Sequence, residues 1–296
     1  MVYTTSNVCP GYKTMILFWL RRIIRIAPIY WLITIVIVIF SIITPSMTGY
    51  KPEFWHIIGS IFFIPLEDAR GILSPPLRVG WSLNFEMYFY IVFGIILVAP
   101  RHLMHILIIA WAFFSVTIGL IINPSTPLIQ MMTSTYIIEF VAGALVATII
   151  QKKNIVISKK ISCFLIVAGI SGFLLNDLFG GSASKTIIIG LTVATLTGCI
   201  TLEQSHKFNF NKKIPIYLGE WSYSIYLIHV PVLVVTYKLF GFLPNINNNF
   251  IGVIFFFFSI FVSIIAGAAC CKHIEQPLTN KFSYYFRNIL SPNRSS

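Results

Sequence analysis

Four places in this chain carry side chains that can do chemistry inside an otherwise apolar sequence. The first is Arg21-Arg22-Ile23-Ile24-Arg25. On a helix, Arg22 and Arg25 are three apart and Arg21 and Arg25 four apart, so the three share one arc. Guanidiniums so gathered can grip phosphate oxygens bidentately. The bland alternative is a topology anchor, with Tyr30 and Trp31 as part of an aromatic belt at the membrane surface. The second place is Trp81-Ser82-Leu83-Asn84-Phe85-Glu86. Ser82 and Glu86 are i, i+4 and face the same way, while Trp81 suits an interfacial anchor. Glu86 stands one turn inside an apolar stretch, where a carboxylate facing lipid is costly. It is therefore expected to face the protein, either as a functional group or paired with Arg78 or a neighbouring helix. The third is the i, i+4, i+7 stripe Ser222, Tyr226 and His229. Pro231 follows and cannot donate to the carbonyl of Leu227, which leaves an acceptor near the histidine. Such a stripe fits a hydrated cavity or interhelical hydrogen bonding. The fourth place is weaker: Glu139 and Glu275 can each pair with a neighbouring helix. His56, His102 and His105 read as structural. A P-loop, a GxGxxG, a GxSxG and a metal-spaced His/Cys cluster are all missing from the sequence. The five cysteines have no metal-like spacing.

These groups need elements to hold them, and the composition says which. Of 296 residues, 57% are hydrophobic and 10% charged, against roughly 45–50% and about 25% in ordinary soluble domains. The mean hydropathy is +0.85. A soluble surface cannot be covered with so few polar groups, which excludes a soluble enzyme and a disordered chain. It also excludes a nucleic-acid binder, despite a net charge of +12. A bilayer-crossing helix needs about 20 apolar residues. Eight stretches qualify, at about 26–44, 81–99, 103–122, 135–150, 161–179, 186–202, 222–240 and 250–271. They run continuously instead of alternating, so the expected fold class is an all-α polytopic membrane protein. Turns are expected at Pro45, Pro100, Asn123-Pro124, Gly180-Gly181, Gly241 and Asn247-Asn248-Asn249. The segment from Phe54 to Pro65 is too short to span and is expected at the interface or dipping into the protein.

Basic residues favour the cytoplasmic side. With eight spans and both termini cytoplasmic, 16 of the 21 basic residues fall in cytoplasmic segments: Lys13, Arg21, Arg22, Arg25, Arg101, Lys152, Lys153, Lys159, Lys160, Lys207, Lys212, Lys213, Lys272, Lys281, Arg287 and Arg294. The charge is thus mostly topology, with attraction to anionic membrane lipids added. Residues 272–296 are expected to be a short basic cytoplasmic tail, and residues 1–296 a single membrane domain.

Together these segments resemble acyltransferase family 3, integral membrane enzymes that include O-acetyltransferases acting on exopolysaccharide or lipopolysaccharide. The residues carrying the resemblance are RRIIRIAPIYW at 21–31, GWSLNFEMYFY at 80–90, LGEWSYSIYLIHVP at 218–231 and IEQP at 274–277. They stand in the family's order. The resemblance implies about ten helices in the full family, acetyl-CoA as donor, no metal, a glycan hydroxyl as acceptor and the inner (plasma) membrane as location. Arg22 and Arg25, with Arg21 beside them, would hold the CoA phosphates. Trp81, Ser82, Ser222 and Tyr226 would face the substrate, and Glu86 and His229 would support catalysis. The family's first span carries a histidine that nothing here matches, and Met1-Val2-Tyr3 looks like the tail of a second span. The resemblance therefore implies that the first two spans are missing, with eight of about ten helices present and little or no activity from these 296 residues alone. A transporter or flippase for a sugar or lipid-linked substrate is the alternative, although no paired broken helices point to one. An inert structural membrane subunit is a third reading.

Overall fold

A computed structural model describes residues 8–44, 50–153, 157–178, 180, 185–204, 213–241 and 249–286. Among them every named element is helical. The order is α1 (Tyr12–Ile43), α2 (Phe54–Ile61), α3 (Gly80–Ile96), α4 (Arg101–Ile122), α5 (Pro127–Met132), α6 (Tyr136–Lys153), α7 (Lys159–Leu178), α8 (Lys185–Gln204), α9 (Lys213–Gly241), α10 (Asn249–Cys270), a π-helical turn (Cys271–Glu275) and α11 (Gln276–Tyr285). Helices are the economical answer here, because lipid offers no partner for a free backbone N–H or C=O.

Each of the eight apolar stretches falls on a helix. Among the described residues, six helices are long and apolar enough to cross a membrane: Tyr12–Ile43, Arg101–Ile122, Pro127–Ile149, Lys159–Asn176, Ile216–Gly241 and Ile251–Tyr285. The stretch at 81–99 yields α3, which has 17 residues. At 1.5 Å per residue that is about 25 Å, short of a ~30 Å hydrocarbon core. The stretch at 186–202 gives the shorter apolar helix Ile187–Thr201. The expected basic tail begins as helix, since the π turn and α11 carry the chain through Tyr285. The expected turn residues Pro45, Gly181, Asn247 and Asn248 lie outside the described residues, as do Lys207, Lys212, Arg287 and Arg294.

Several helix ends follow from single residues. Pro100, extended at φ −55 and ψ 142, stands at the N-cap of α4, and Asn123 closes that helix in the left-handed region at φ 45. Asparagine tolerates that conformation, and Pro124 behind it disfavours further helix. At the end of α10, Pro277 has no N–H and its ring crowds the carbonyl of His273. The chain accommodates this with the π turn, in which the N–H of Gln276 reaches the carbonyl of Cys271.

The described chain forms two compact units. One gathers α4, α6, α7 and α8, with α7 packed on α8, α8 on α6 and α6 on α4. Ser162 Oγ and Thr201 Oγ1 meet within it at 2.8 Å. The other holds the body of α1, α2, α3, α9, α10 and α11, with α9 packed on α10. In this unit the indole N–H of Trp19 on α1 donates to the carbonyl of Tyr90 on α3 at 2.8 Å. Only glycine fits opposite, since a Cβ on Gly94 would fall 2.0 Å from that nitrogen.

The segment between α2 and α3 is a folded loop. Phe54, Trp55 and Phe62 are exposed on and just after α2, and its eight residues are too few to span. Asp68 organises the loop: Oδ1 accepts from the N–H groups of Arg70 (2.9 Å) and Ile72 (3.0 Å), and Oδ2 from Arg70 Nε (2.8 Å) and Nη2 (2.5 Å). Burial works to raise the Asp68 carboxyl, but the Arg70 guanidinium and the two N–H donors outweigh it and hold it below the usual carboxylate range. His56 is buried and structural, as expected. Its Nδ1 accepts from Tyr50 at 2.8 Å and its Nε2 donates to the carbonyl of Ser74 at 3.1 Å. Burial, with the Asp68 and Glu53 carboxylates nearby, pushes the Tyr50 phenol up to about 12.

Candidate functional site

In the second unit α1, α3 and α9 close around a cavity of about 390 Å³. Arg22, Arg25 and Ile26 line it from α1, Ser82, Leu83, Glu86 and Tyr90 from α3, and Ser222, Tyr223 and Tyr226 from α9. Helical periodicity accounts for each set. Arg22 and Arg25 are one turn apart, Ser82, Glu86 and Tyr90 follow at i, i+4 and i+8, and Ser222 and Tyr226 at i, i+4.

The hydrogen bonds join the elements across the cavity. The Tyr226 hydroxyl lies 2.5 Å from Ser82 Oγ and donates to the carbonyl of Val79 at 2.5 Å. Tyr223 donates to the carbonyl of Ile26 at 2.9 Å. The Tyr90 hydroxyl donates to Glu86 Oε1. The guanidinium of Arg22 lies over the rings of Tyr90 and Phe18, 5.1 and 5.4 Å from their centroids. This cation–π placement stabilises the charge without neutralising it.

The charge balance of the cavity is uneven. Two guanidiniums and one carboxylate line it, yet neither arginine comes within ion-pair distance of Glu86. Among the described residues the one ion pair is Arg70 with Asp68, in the loop. Glu86 takes its hydrogen bond from a neutral phenol instead. The alternative in which Glu86 pairs with Arg78 is likewise not realised. The arrangement can receive an anion at the arginines and a hydroxyl-bearing or carbonyl group at the Ser82–Tyr226 pair.

Six of the nine residues singled out from sequence meet here: Arg22, Arg25, Ser82, Glu86, Ser222 and Tyr226. Three do not line the cavity. Arg21 is exposed on the adjoining face of α1, and Trp81 is 45% exposed at the start of α3. His229 stands one turn beyond Tyr226, and its Nδ1 bonds the carbonyl of Tyr226 at 2.7 Å. The carbonyl it uses is therefore not that of Leu227, the one freed by Pro231. Glu275, a weaker candidate, is buried and accepts from Ser224 Oγ at 2.5 Å, on the face of α9 turned from the cavity.

Sequence reasoning missed two polar lining residues, Tyr90 and Tyr223, and two apolar ones, Ile26 and Leu83. Tyr90 was findable, because it is i+4 from Glu86. Tyr223 was findable as well, because it is i−3 from Tyr226. Tyr30 belongs to no surface belt: it is fully buried, stacked on Phe63 at 4.8 Å. Its partner in that reading, Trp31, donates its indole N–H to the carbonyl of Ile61 at 2.8 Å.

Comparison with known proteins places this geometry in context. The profile of the family described as "Acyltransferase domain" matches residues 10–268. The exopolysaccharide production protein ExoZ of Rhizobium meliloti is 30% identical over 238 residues, covering 76% of this chain and 70% of that protein. The peptidoglycan O-acetyltransferase OatA of Listeria monocytogenes is 25% identical over 311 residues, 93% of this chain and 48% of that protein. The O-acetyltransferase OatA of Staphylococcus aureus is 26% identical over 320 residues, 94% of this chain and 50% of that protein. The chain thus spans about half the length of the two OatA proteins. No solved structure matches it.

Proposed function

Since the chain belongs to the acyltransferase-domain family, we propose that it serves transfer of an acyl group, acetyl in the simplest case, from acyl-CoA to a hydroxyl of a cell-surface carbohydrate. The observation that carries this reading is the pair of unneutralised guanidiniums, Arg22 and Arg25, in a cavity whose one carboxylate is held by Tyr90. Guanidiniums with no carboxylate partner favour an anionic ligand, and the phosphates of CoA supply one. The names of the relatives support the acceptor class: one acts in exopolysaccharide production and the others are O-acetyltransferases, one of them of peptidoglycan.

In this reading Arg22 and Arg25 hold the CoA phosphates, with Arg21 at the rim, and so raise the local concentration of the thioester. The acceptor hydroxyl attacks the thioester carbonyl, forming a C–O bond as the C–S bond breaks. Its proton passes to the departing CoA thiolate, which leaves as the free thiol. Ser82 and Tyr226 hydrogen-bond the reacting oxygens, Ser222 borders the same space, and Glu86 orients the acceptor. Trp81 anchors α3 at the membrane surface. His229 acts from behind Tyr226, through the carbonyl it bonds. The topology that fits is a multi-pass plasma-membrane protein with eight crossings, both ends in the cytoplasm and the arginines at the cytoplasmic side, where CoA is found.

The test is binding of radiolabelled acetyl-CoA to the protein in lipid nanodiscs, followed by transfer of label to peptidoglycan fragments or exopolysaccharide. Binding should be salt-sensitive and should be lost in an Arg22→Ala, Arg25→Ala double variant. Binding that is absent, or indifferent to both arginines, would remove the reading.

A further inference from the structure

One buried carboxylate in the second unit has no part in the chemistry proposed above. Glu275 closes the π-helical turn, and its side chain is buried away from the cavity. Among the described residues it belongs to no ion pair. Instead it accepts from Ser224 Oγ on α9 at 2.5 Å, and Ser224 is fully buried. Two thiols flank the pair. Cys270 lies beside Ser224 and Cys271 beside Glu275. Cys271 Sγ also donates to the carbonyl of Glu220 on α9 at 3.6 Å. The backbones meet closely next to this cluster: a Cβ on Gly267 would fall 2.3 Å from Ile225 Cγ1 and 2.8 Å from Ile225 Cα. The π turn that accommodates Pro277 puts an extra residue into the helical ring, and so it also sets the face on which Glu275 emerges. Such turns recur at functional sites.

The neighbours of Ser224 along α9 are residues of the cavity. Tyr223 donates to the carbonyl of Ile26 on α1, and Tyr226 to the carbonyl of Val79 just before α3. At 3.6 residues per turn, Ser224 stands about 100° from Tyr223 and about 160° from Tyr226 around the helix. One level of α9 is thus held from two sides. Two phenols tie it to α1 and α3, and Ser224 ties it to the turn after α10. A hydrogen bond has a direction, so the Ser224–Glu275 bond fixes the rotation of α9 more narrowly than apolar contact on that side does.

We propose that Glu275 is a positioning residue for the cavity. Through Ser224 it sets the rotation of α9, and with it the aim of Tyr223 and Tyr226 at α1 and α3. The role needs an acceptor oxygen opposite Ser224, which a carboxamide supplies as a carboxylate does. It needs no contact between Glu275 and any ligand. The consequence for catalysis rests on the acyl-transfer reading above, in which Tyr226 bonds the reacting oxygens. The consequence for the two phenols does not.

The test uses Ser224→Ala, Glu275→Ala and Glu275→Gln in the full chain in nanodiscs. Ser224→Ala removes a single oxygen, so the fold is kept. Tetranitromethane nitrates the phenols it can reach, and peptide mass spectrometry reads each tyrosine separately. Nitration of Tyr223 and Tyr226 should rise about three- to tenfold in Ser224→Ala and Glu275→Ala, the scale of one lost hydrogen bond. It should return to the parent level in Glu275→Gln. Tyr50, buried in the loop of the same unit, should not change. Unchanged nitration of Tyr223 and Tyr226 in Ser224→Ala overturns the proposal. A parallel rise at Tyr50 overturns it too, because the pair then stabilises the unit without aiming the phenols. Glu275→Gln behaving like Glu275→Ala also overturns it, because an acceptor is then not what the role needs. In transfer from acetyl-CoA to peptidoglycan fragments, Ser224→Ala should lower kcat about tenfold and leave the KM for acetyl-CoA within about twofold, since the arginines stand on α1. A KM that rises as much as kcat falls overturns the positioning role. No transfer by the parent protein would defeat the acyl-transfer reading alone, and nitration would still decide the role of Glu275.

Discussion

Two carboxylates in the same unit meet arginines in opposite ways. Asp68 is 3% exposed at its side chain and has both oxygens filled by Arg70 and by two backbone N–H groups. Glu86 shares a cavity with Arg22 and Arg25 and pairs with neither, taking instead the hydroxyl of Tyr90. The loop has spent its charge on closing itself. The cavity leaves the half-buried Arg22 and the exposed Arg25 outside ion-pair reach of its carboxylate. A satisfied ion pair closes a loop on itself, whereas guanidiniums outside any pair keep their hydrogen-bond donors available.

That contrast can be broken most directly at the arginines. Hydrogen bonds to charged groups contribute about 1.5–3 kcal/mol each. Arg22→Ala or Arg25→Ala should therefore weaken acetyl-CoA binding roughly 10- to 100-fold, measured by equilibrium binding in nanodiscs. Arg70→Ala should leave it unchanged. Next in size is Glu86→Gln, which keeps an acceptor for Tyr90 and removes the charge. It should leave the thermal midpoint within about 2 °C and tighten CoA binding a few-fold, because a negative charge near the phosphates is gone. Weaker CoA binding in Glu86→Gln would mean that the carboxylate helps to hold the arginines after all.

The loop should respond to pH. The Asp68 carboxyl is depressed in the folded state, so its contribution is fully present above the unfolded value near 3.8. That contribution is lost as pH falls through the lower folded value. Asp68→Asn should remove about 1 kcal/mol, an exposed guanidinium being partly screened, and should flatten the acid limb of the stability curve below about pH 4. Proteolysis of the 62–79 loop against pH reads this out. The smallest effect is expected at His229. It reaches the cavity through Tyr226, whose carbonyl it bonds and whose ring lies 5.9 Å from its own, so His229→Ala should change CoA affinity less than about threefold. A larger loss would make the histidine a direct participant.

Much of this was legible in the chain. Continuous apolar runs, with Pro100, Asn123 and Pro124 between them, dictate helices and several of their ends. Spacing alone put Arg22 with Arg25 and Ser82 with Glu86 on common faces, because a helix has one period. The two shortfalls are physical. Asn84 and Glu86 lower the apolarity of α3, whose 17 residues end before Pro100. Tyr30 read as an interfacial ring because aromatic side chains favour that depth, whereas the stack on Phe63 draws it inside.

The sequence by itself determined the helices, the faces within each helix and the surplus of positive charge, all of which depend on neighbours a few residues apart. Only the tertiary structure decided that Ser82 meets Tyr226, 144 positions away. The same holds for the placing of Arg22 and Arg25 in one cavity with Glu86 but outside ion-pair reach of it. Those outcomes depend on which helix packs against which and at what rotation, and helical periodicity is the same whichever neighbour is chosen.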